Sequence, residues 1–271
     1  MISLQRVLKT LHSFICWGLI FFLTGCTPGK KKEPLGDEDL IPYAILKIFP
    51  HDPAAFTQGL TIADGRLFES TGQADSWIAE VYITTGTQDK KVMLDKKYFG
   101  EGIAILNNKI YQLTWKNHVG FIYDLKTFNK IREFQYDHEG WGITHNGKNL
   151  IVSDGTDKLR FLDTLSLKPV SVLTVVEEGN DVDKLNELEF VDGFIFANQW
   201  QTNYILKIDP TIGSVVGKID LSALAEKMSP LNPQADVLNG IAYEKKSGML
   251  LVTGKLWPSL FALRLQKKVP D

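Results

Sequence analysis

The chain has 271 residues, with 30 Lys or Arg against 32 Asp or Glu, a net charge of -2 at neutral pH, and only two cysteines. A near-neutral balance without a basic stripe argues against a nucleic-acid partner. Both cysteines, Cys16 and Cys26, lie near the N-terminus, so the body holds no thiol for a disulfide, a nucleophile or a metal site.

In chain order, Arg6 and Lys9 precede an apolar run from Phe14 to Phe22, and Leu23-Thr24-Gly25-Cys26 then places small residues before a cysteine. Residues 1–25 are expected to be a lipoprotein-type signal peptide, cleaved so that Cys26 becomes an acylated N-terminus. A single spanning anchor ending at Leu23 is the other reading, but the run is short beside the roughly 20 residues of a span. Both place the body outside the cytoplasm on a membrane surface, facing the periplasm or the cell surface. Thr27 after Cys26, where inner-membrane retention favours Asp, points to the outer membrane. Loss of Arg6 and Lys9 leaves 28 basic against 32 acidic residues. Residues 26–42 carry Lys30-Lys31-Lys32 among Pro, Gly and acidic residues, and are expected to be a flexible tether.

Residues 43–271 are expected to form one domain, beginning with a spare strand at Tyr43–Phe49. One pattern then returns five times, opening at Gln58-Gly-Leu, Glu101-Gly-Ile, Trp141-Gly-Ile, Asn186-Glu-Leu and Asn239-Gly-Ile. Each opening leads into two apolar, β-branched runs parted by a polar or Gly turn. The starts lie 43, 40, 45 and 53 residues apart, the period of a β-propeller blade. Third strands are expected at Ile78–Thr84, Val119–Leu125, Leu159–Asp163, Tyr204–Asp209 and Leu260–Leu265. Fourth strands are expected at Lys91–Lys97, Ile131–Tyr136, Val170–Val175 and Ser214–Ile219. The last unit has only three, and the spare N-terminal strand supplies its fourth. The expectation is an all-β, five-bladed β-propeller whose N-terminal strand closes the last blade and hides its edge. Two stretches interrupt the pattern. Val176–Leu185 is a longer loop, and Leu221–Asp236 has the helical spacing of a short helix that is either a lid or a plain connector.

Equivalent positions on the innermost strands meet at one mouth of the channel, bringing Gln58, Glu101, Trp141, Asn186 and Asn239 together. The second strands end near Thr71, Trp115, Asp154, Trp200 and Lys255, and return side chains to the same mouth. Trp115 and Trp200 stand at one equivalent offset, which with Trp141 points to an aromatic-walled pocket rather than to three separate core residues. Glu101 is the only ionisable repeat start. Among Phe99, Trp115 and Trp141 its carboxylate loses hydration and its pKa rises, the tuning a general acid–base residue needs. Lys255, between Gly254 and Leu256-Trp257-Pro258, either pairs with Glu101 or faces the oxygen of a polarised carbonyl. The histidines show no paired ligand spacing, so no metal and no cofactor are expected, and no Gly-x-Ser-x-Gly elbow or phosphate loop is present.

Phe56-Thr-Gln-Gly, Phe99-Gly-Glu-Gly-Ile, Leu113-Thr-Trp-Lys, Glu139-Gly-Trp-Gly, Ser153-Asp-Gly-Thr, Leu185-Asn-Glu-Leu-Glu, Ala197-Asn-Gln-Trp, Leu238-Asn-Gly-Ile and Val252-Thr-Gly-Lys-Leu-Trp-Pro follow one another in order. Together they resemble glutaminyl-peptide cyclotransferase of the plant and bacterial type, over roughly Pro42 to Leu263. The resemblance implies a five-bladed propeller without zinc that converts N-terminal glutamine of peptides or proteins to pyroglutamate with release of ammonia. Matched motif to motif, it makes Glu101 the acid–base residue. Phe56, Gln58, Phe99, Trp115, Trp141, Asn186, Trp200, Asn239 and Lys255 would line or serve the pocket. Trp77-Ile78-Ala79 departs from the pattern, standing where relatives carry a small or apolar pair followed by Arg. The expected protein is a monomer, and the rival expectation is a non-catalytic, membrane-tethered propeller that binds a partner.

Overall fold

The computed structural model describes residues 39–266. The leader, Cys26 and residues 27–38 of the tether lie outside them. The strand β1 (Tyr43–Pro50) comes first. Blade 1 contains β2 (Thr57–Ala63), β3 (Arg66–Thr71), β4 (Trp77–Tyr82) and β5 (Thr87–Met93). Blade 2 contains β6 (Gly100–Leu106), β7 (Lys109–Thr114), β8 (Val119–Asp124) and β9 (Lys130–Gln135). Blade 3 contains β10 (Ile143–His145), β11 (Asn149–Ser153), β12 (Lys158–Asp163) and β13 (Pro169–Thr174). A small hairpin of β14 (Val176–Glu177) and β15 (Asn180–Asp181) occupies the loop before blade 4. Blade 4 contains β16 (Leu185–Val191), β17 (Phe194–Gln199), β18 (Tyr204–Ile208) and β19 (Val215–Asp220). After α1 (Ser222–Ala225), blade 5 takes β20 (Leu238–Glu244), β21 (Met249–Gly254) and β22 (Ser259–Leu265), with β1 as its outer strand.

The closure is antiparallel, from Tyr43 opposite Leu265 to Pro50 opposite Ser259. It removes the open edge that β22 would otherwise present. His51 fixes the end of β1. Its Nδ1 lies 2.7 Å from the Trp257 carbonyl oxygen and its Nε2 3.2 Å from Glu69 Oε1, which also accepts from Thr57 Oγ1. Burial opposes the imidazolium, yet Glu69 and the Trp257 carbonyl hold the His51 pKa above its ordinary value. The fold begins earlier than Tyr43. Ile41 N–H donates to the Lys218 carbonyl, and Leu40 bridges to Lys218 on β19.

Inner and outer strands read differently because their surroundings differ. All seven residues of β6 are buried, whereas β5, β9 and β13 are mostly exposed or half-buried. The apolar side chains collect in five main clusters, one in each seam between neighbouring blades; Phe68, Ile78, Ile103 and Phe121, for example, fill the seam of blades 1 and 2. The outer strand of blade 1 is Thr87–Met93, four residues ahead of the expected start at Lys91. A tight turn at Thr85-Gly86, both N–H groups bonded to the Tyr82 carbonyl, starts the return at once. Leu94 then tucks inward and Asp95–Tyr98 turns toward the channel.

Candidate active site

The repeat starts face the channel because the inner strands bulge there. Register shifts fall between Thr57 and Gly59, Gly100 and Ile103, Leu185 and Leu188, and Leu238 and Ile241. Each sets an extra residue on the inner strand, and such bulges re-aim side chains beside functional sites. In this way Gln58, Glu101, Asn186 and Asn239 turn out of the ladder. Trp141 stands just ahead of β10, held by the Ser153 carbonyl. The glycine that follows several repeat starts admits the next blade. A Cβ on Gly102 would lie 2.7 Å from Ile143 N, and one on Gly142 would run into the Asn186 carbonyl oxygen.

The mouth holds a cavity of about 220 Å³, lined by Phe56, Gln58, Phe99, Glu101, Trp115, Trp141, Asn186, Trp200, Asp236 and Lys255. Nine of the ten pocket residues expected from sequence therefore meet here. Asn239 does not line the cavity. It lies fully buried behind it, donating through Nδ2 to the Thr57 carbonyl at 3.0 Å and toward Gln58 Oε1 at 3.4 Å. Of the other second-strand ends, Asp154 is paired with Arg160 and Thr71 bonds to Trp77, so neither lines the cavity. The Leu221–Asp236 stretch is a packed connector. Leu221, Leu224 and Met228 are buried in the seam of blades 4 and 5.

Aromatic rings build the walls. Phe56 meets Phe99 edge-on at 6.2 Å, Phe99 leans on Trp115 at 5.6 Å, and Trp141 meets Trp200 edge-on at 5.5 Å. Such pairs hold one another in fixed orientation and exclude water. Within them Glu101 is 4% exposed and accepts a hydrogen bond from Gln58 Nε2 at 3.1 Å. Burial pushes its pKa well above the ordinary carboxyl value; the Lys255 ammonium opposes this and the Glu139 carboxylate adds to it. Lys255 is 6% exposed, and its Nζ rests 4.9 Å from the Phe56 ring centroid. Among the described residues no ion pair within 4.0 Å joins it to Glu101. Burial lowers the Lys255 pKa, while Glu101 and Asp236 hold it up.

Three residues escaped the sequence reading. Asp236 closes the connector and reaches the cavity rim, its N–H bonded to the Lys255 carbonyl. Glu139 receives the indole N–H groups of Trp115 at 2.7 Å and Trp141 at 3.0 Å on one carboxylate oxygen. Its place two residues before Trp141 was the available signal. Glu187 occupies the glycine position of the fourth repeat, and that break in the pattern marked it. It is 1% exposed and accepts from the Leu60 and Ile241 N–H groups at 3.1 and 2.8 Å.

Among the described residues no three His, Cys, Asp or Glu side chains gather as a ligand set. The arrangement can move a proton on one buried carboxyl, steady an oxyanion with a nearby ammonium and amides, and hold an aliphatic side chain against aromatic faces.

Comparison with known proteins agrees with this geometry. A family model described as glutamine cyclotransferase matches residues 19–265. The glutaminyl-peptide cyclotransferase of Arabidopsis thaliana is 40% identical over 223 residues, which are 81% of this chain and 70% of that protein. The crystal structure of Myxococcus xanthus glutaminyl cyclase superposes with a TM-score of 0.78 at 38% identity, covering 83% of this chain and 96% of that one.

Proposed function

The chain belongs to the glutamine cyclotransferase family, and from that premise we propose how its cavity closes an N-terminal glutamine into pyroglutamate. The activity is that of a glutaminyl-peptide cyclotransferase: the α-amine of a terminal glutamine attacks the γ-amide of the same residue, and ammonia leaves. The observation that carries the mechanism is the carboxyl of Glu101, buried in an aromatic cage with its pKa raised.

Three obstacles face the reaction. The α-amine, with an ordinary pKa of about 7.7–8.0, is mostly protonated at neutral pH. The amide oxygen gains negative charge on attack, and the departing nitrogen needs a proton. In the proposed sequence the free amine adds to the amide carbon, forming the new C–N bond. The Glu101 carboxylate takes the proton that the attacking nitrogen must lose. The same carboxyl then protonates the departing NH₂, the old C–N bond breaks, and ammonia leaves with Glu101 again ionised. One carboxyl serves both nitrogens because they share the tetrahedral carbon. Burial raises its pKa, which makes the carboxylate a stronger base toward the attacking nitrogen than an ordinary one.

Gln58, fixed from behind by Asn239, holds Glu101 through its 3.1 Å hydrogen bond. Lys255 and the Asn186 amide are the donors for the oxyanion. Trp115, Trp141 and Trp200 fold the substrate side chain back toward its own amine, which supplies orientation without a covalent intermediate. Metal independence is part of this proposal.

Glu101→Gln is expected to lower the rate of ammonia release from a Gln-initiated dipeptide by about 10²–10⁴-fold, with wild-type turnover unaffected by chelator. A mutant that keeps more than about a tenth of the wild-type rate, against that expectation, removes Glu101 from its role. Wild-type turnover abolished by chelator removes the metal-free mechanism.

Membrane attachment through Cys26 is proposed on the strength of the Phe14–Phe22 run and the Leu23-Thr24-Gly25-Cys26 sequence. Metabolic labelling with a fatty acid should mark the wild-type chain and not Cys26→Ser. Equal labelling of both would refute the anchor.

A further inference from the structure

The cavity is small. At about 220 Å³ it falls below the roughly 300–1,000 Å³ of clefts that take drug-sized ligands. On the cyclase reading it has room for one residue, the terminal glutamine, so the rest of a peptide would leave across the rim. A second cleft of about 330 Å³ begins at that rim, and Phe56 lines both. The two also share a wall. The cleft runs along Thr71–Asp75, and a Cβ on Gly72 would run into the Phe99 ring and lie 3.1 Å from Gln58 Cγ. One face of this turn therefore supports the cavity while its other face borders the cleft.

We propose that this cleft on blade 1 is a subsite for the peptide that follows the N-terminal glutamine, and that it prefers cationic over acidic side chains there. The proposal rests on the cyclase reading and adds to it that the chain is built for peptides and proteins rather than for free glutamine. The preference follows from the charges. Asp52 and Asp75 line the cleft with one cation, Lys91. The Lys91 ammonium is turned onto the Trp77 ring, 4.5 Å from its centroid. Asp52 already accepts from the Ala54 N–H and from Gln88 Nε2, whereas Asp75 is exposed and only loosely paired with Lys96 at 3.6 Å. Trp77 forms part of the lining, beside the exposed Met93.

The test measures kcat/KM for glutaminamide, Gln-Ala-Lys-amide and Gln-Ala-Glu-amide at low ionic strength, on the wild-type protein and on Asp75→Lys. Asp75 is a solvent-facing turn residue, so the exchange leaves the core alone. The wild type should prefer the lysine over the glutamate tripeptide by about two- to fivefold, the scale of an exposed charge pair. Asp75→Lys should lose or reverse that preference while turning over glutaminamide as the wild type does. No discrimination in the wild type, or a preference that survives in the variant, overturns the subsite. Absence of all turnover, glutaminamide included, overturns the cyclase reading instead. In that case binding of the same tripeptides, followed by tryptophan fluorescence, decides the subsite by the same comparison.

Discussion

A single oxygen of Glu139 holds the indoles of Trp115 and Trp141, and the same carboxylate raises the pKa of Glu101. Shape and charge can be separated here, because Glu139→Gln keeps an oxygen for both indoles and loses the charge. Removing a like charge lowers the Glu101 pKa, so the acid limb of the kcat/KM profile should move to lower pH. The substrate amine also contributes to that limb but is the same for both enzymes, so the difference belongs to the enzyme group. A raised KM with an unmoved limb would assign Glu139 to wall support alone. Lys255 acts in the opposite sense, lowering the Glu101 pKa. Burial sets the raised proton affinity of the central carboxyl, and the two flanking charges adjust it in opposite directions.

At the scale of strands and loops, sequence and structure part company in instructive places. The openings Gln58-Gly-Leu to Asn239-Gly-Ile were legible because a constant scaffold behind a varying first residue is the trace that a ring of side chains around one channel leaves in a chain. The aromatic walls were legible because Trp115 and Trp200 share an offset. The bulges that aim the repeat starts were not, since a bulge shows only as a register shift between strands that the sequence does not align. Asn239 obeys the repeat yet sits behind Gln58, because the equivalent offset fixes the turn of the backbone and not the depth to which a side chain reaches. The outer strand of blade 1 was misplaced by four residues, since exposed strands carry little apolar alternation and Thr87–Lys91 is wholly polar. Asp236 was hidden at the end of a connector whose apolar spacing reports packing against blades 4 and 5 rather than the site.

Across the whole molecule the channel is braced by two buried carboxyls of blade 4. Glu187 accepts from Leu60 of blade 1 and Ile241 of blade 5. Glu189 accepts from Tyr243 N of blade 5 at 3.0 Å and from Thr144 Oγ1 of blade 3 at 3.4 Å. Burial pushes Glu189 up to about 8 from an ordinary 4.5, against the pull of its hydrogen-bond donors. A carboxyl whose folded pKa exceeds its unfolded value favours the fold while protonated. Its contribution is complete below the unfolded value and is lost as pH climbs through the folded one. The Tm of the wild type should accordingly fall between pH 6 and pH 9, and that of Glu189→Gln should fall less. Equal slopes would show that the carboxyl does not titrate in that window.

The pairing of Tyr43 with Leu265 joins the two ends of the folded ring, and this bears on how the chain is made. Synthesis delivers β1 first and its partner β22 last, so no intermediate length of chain can close the propeller. Every seam between blades can begin to fill as its strands arrive, but the final seal waits for residues 259–265. A chain that still lacks β22 leaves the Tyr43–Pro50 edge without its partner. Closure, and with it the lasting geometry of the cavity, is then the last event of folding and depends on the seven residues of β22.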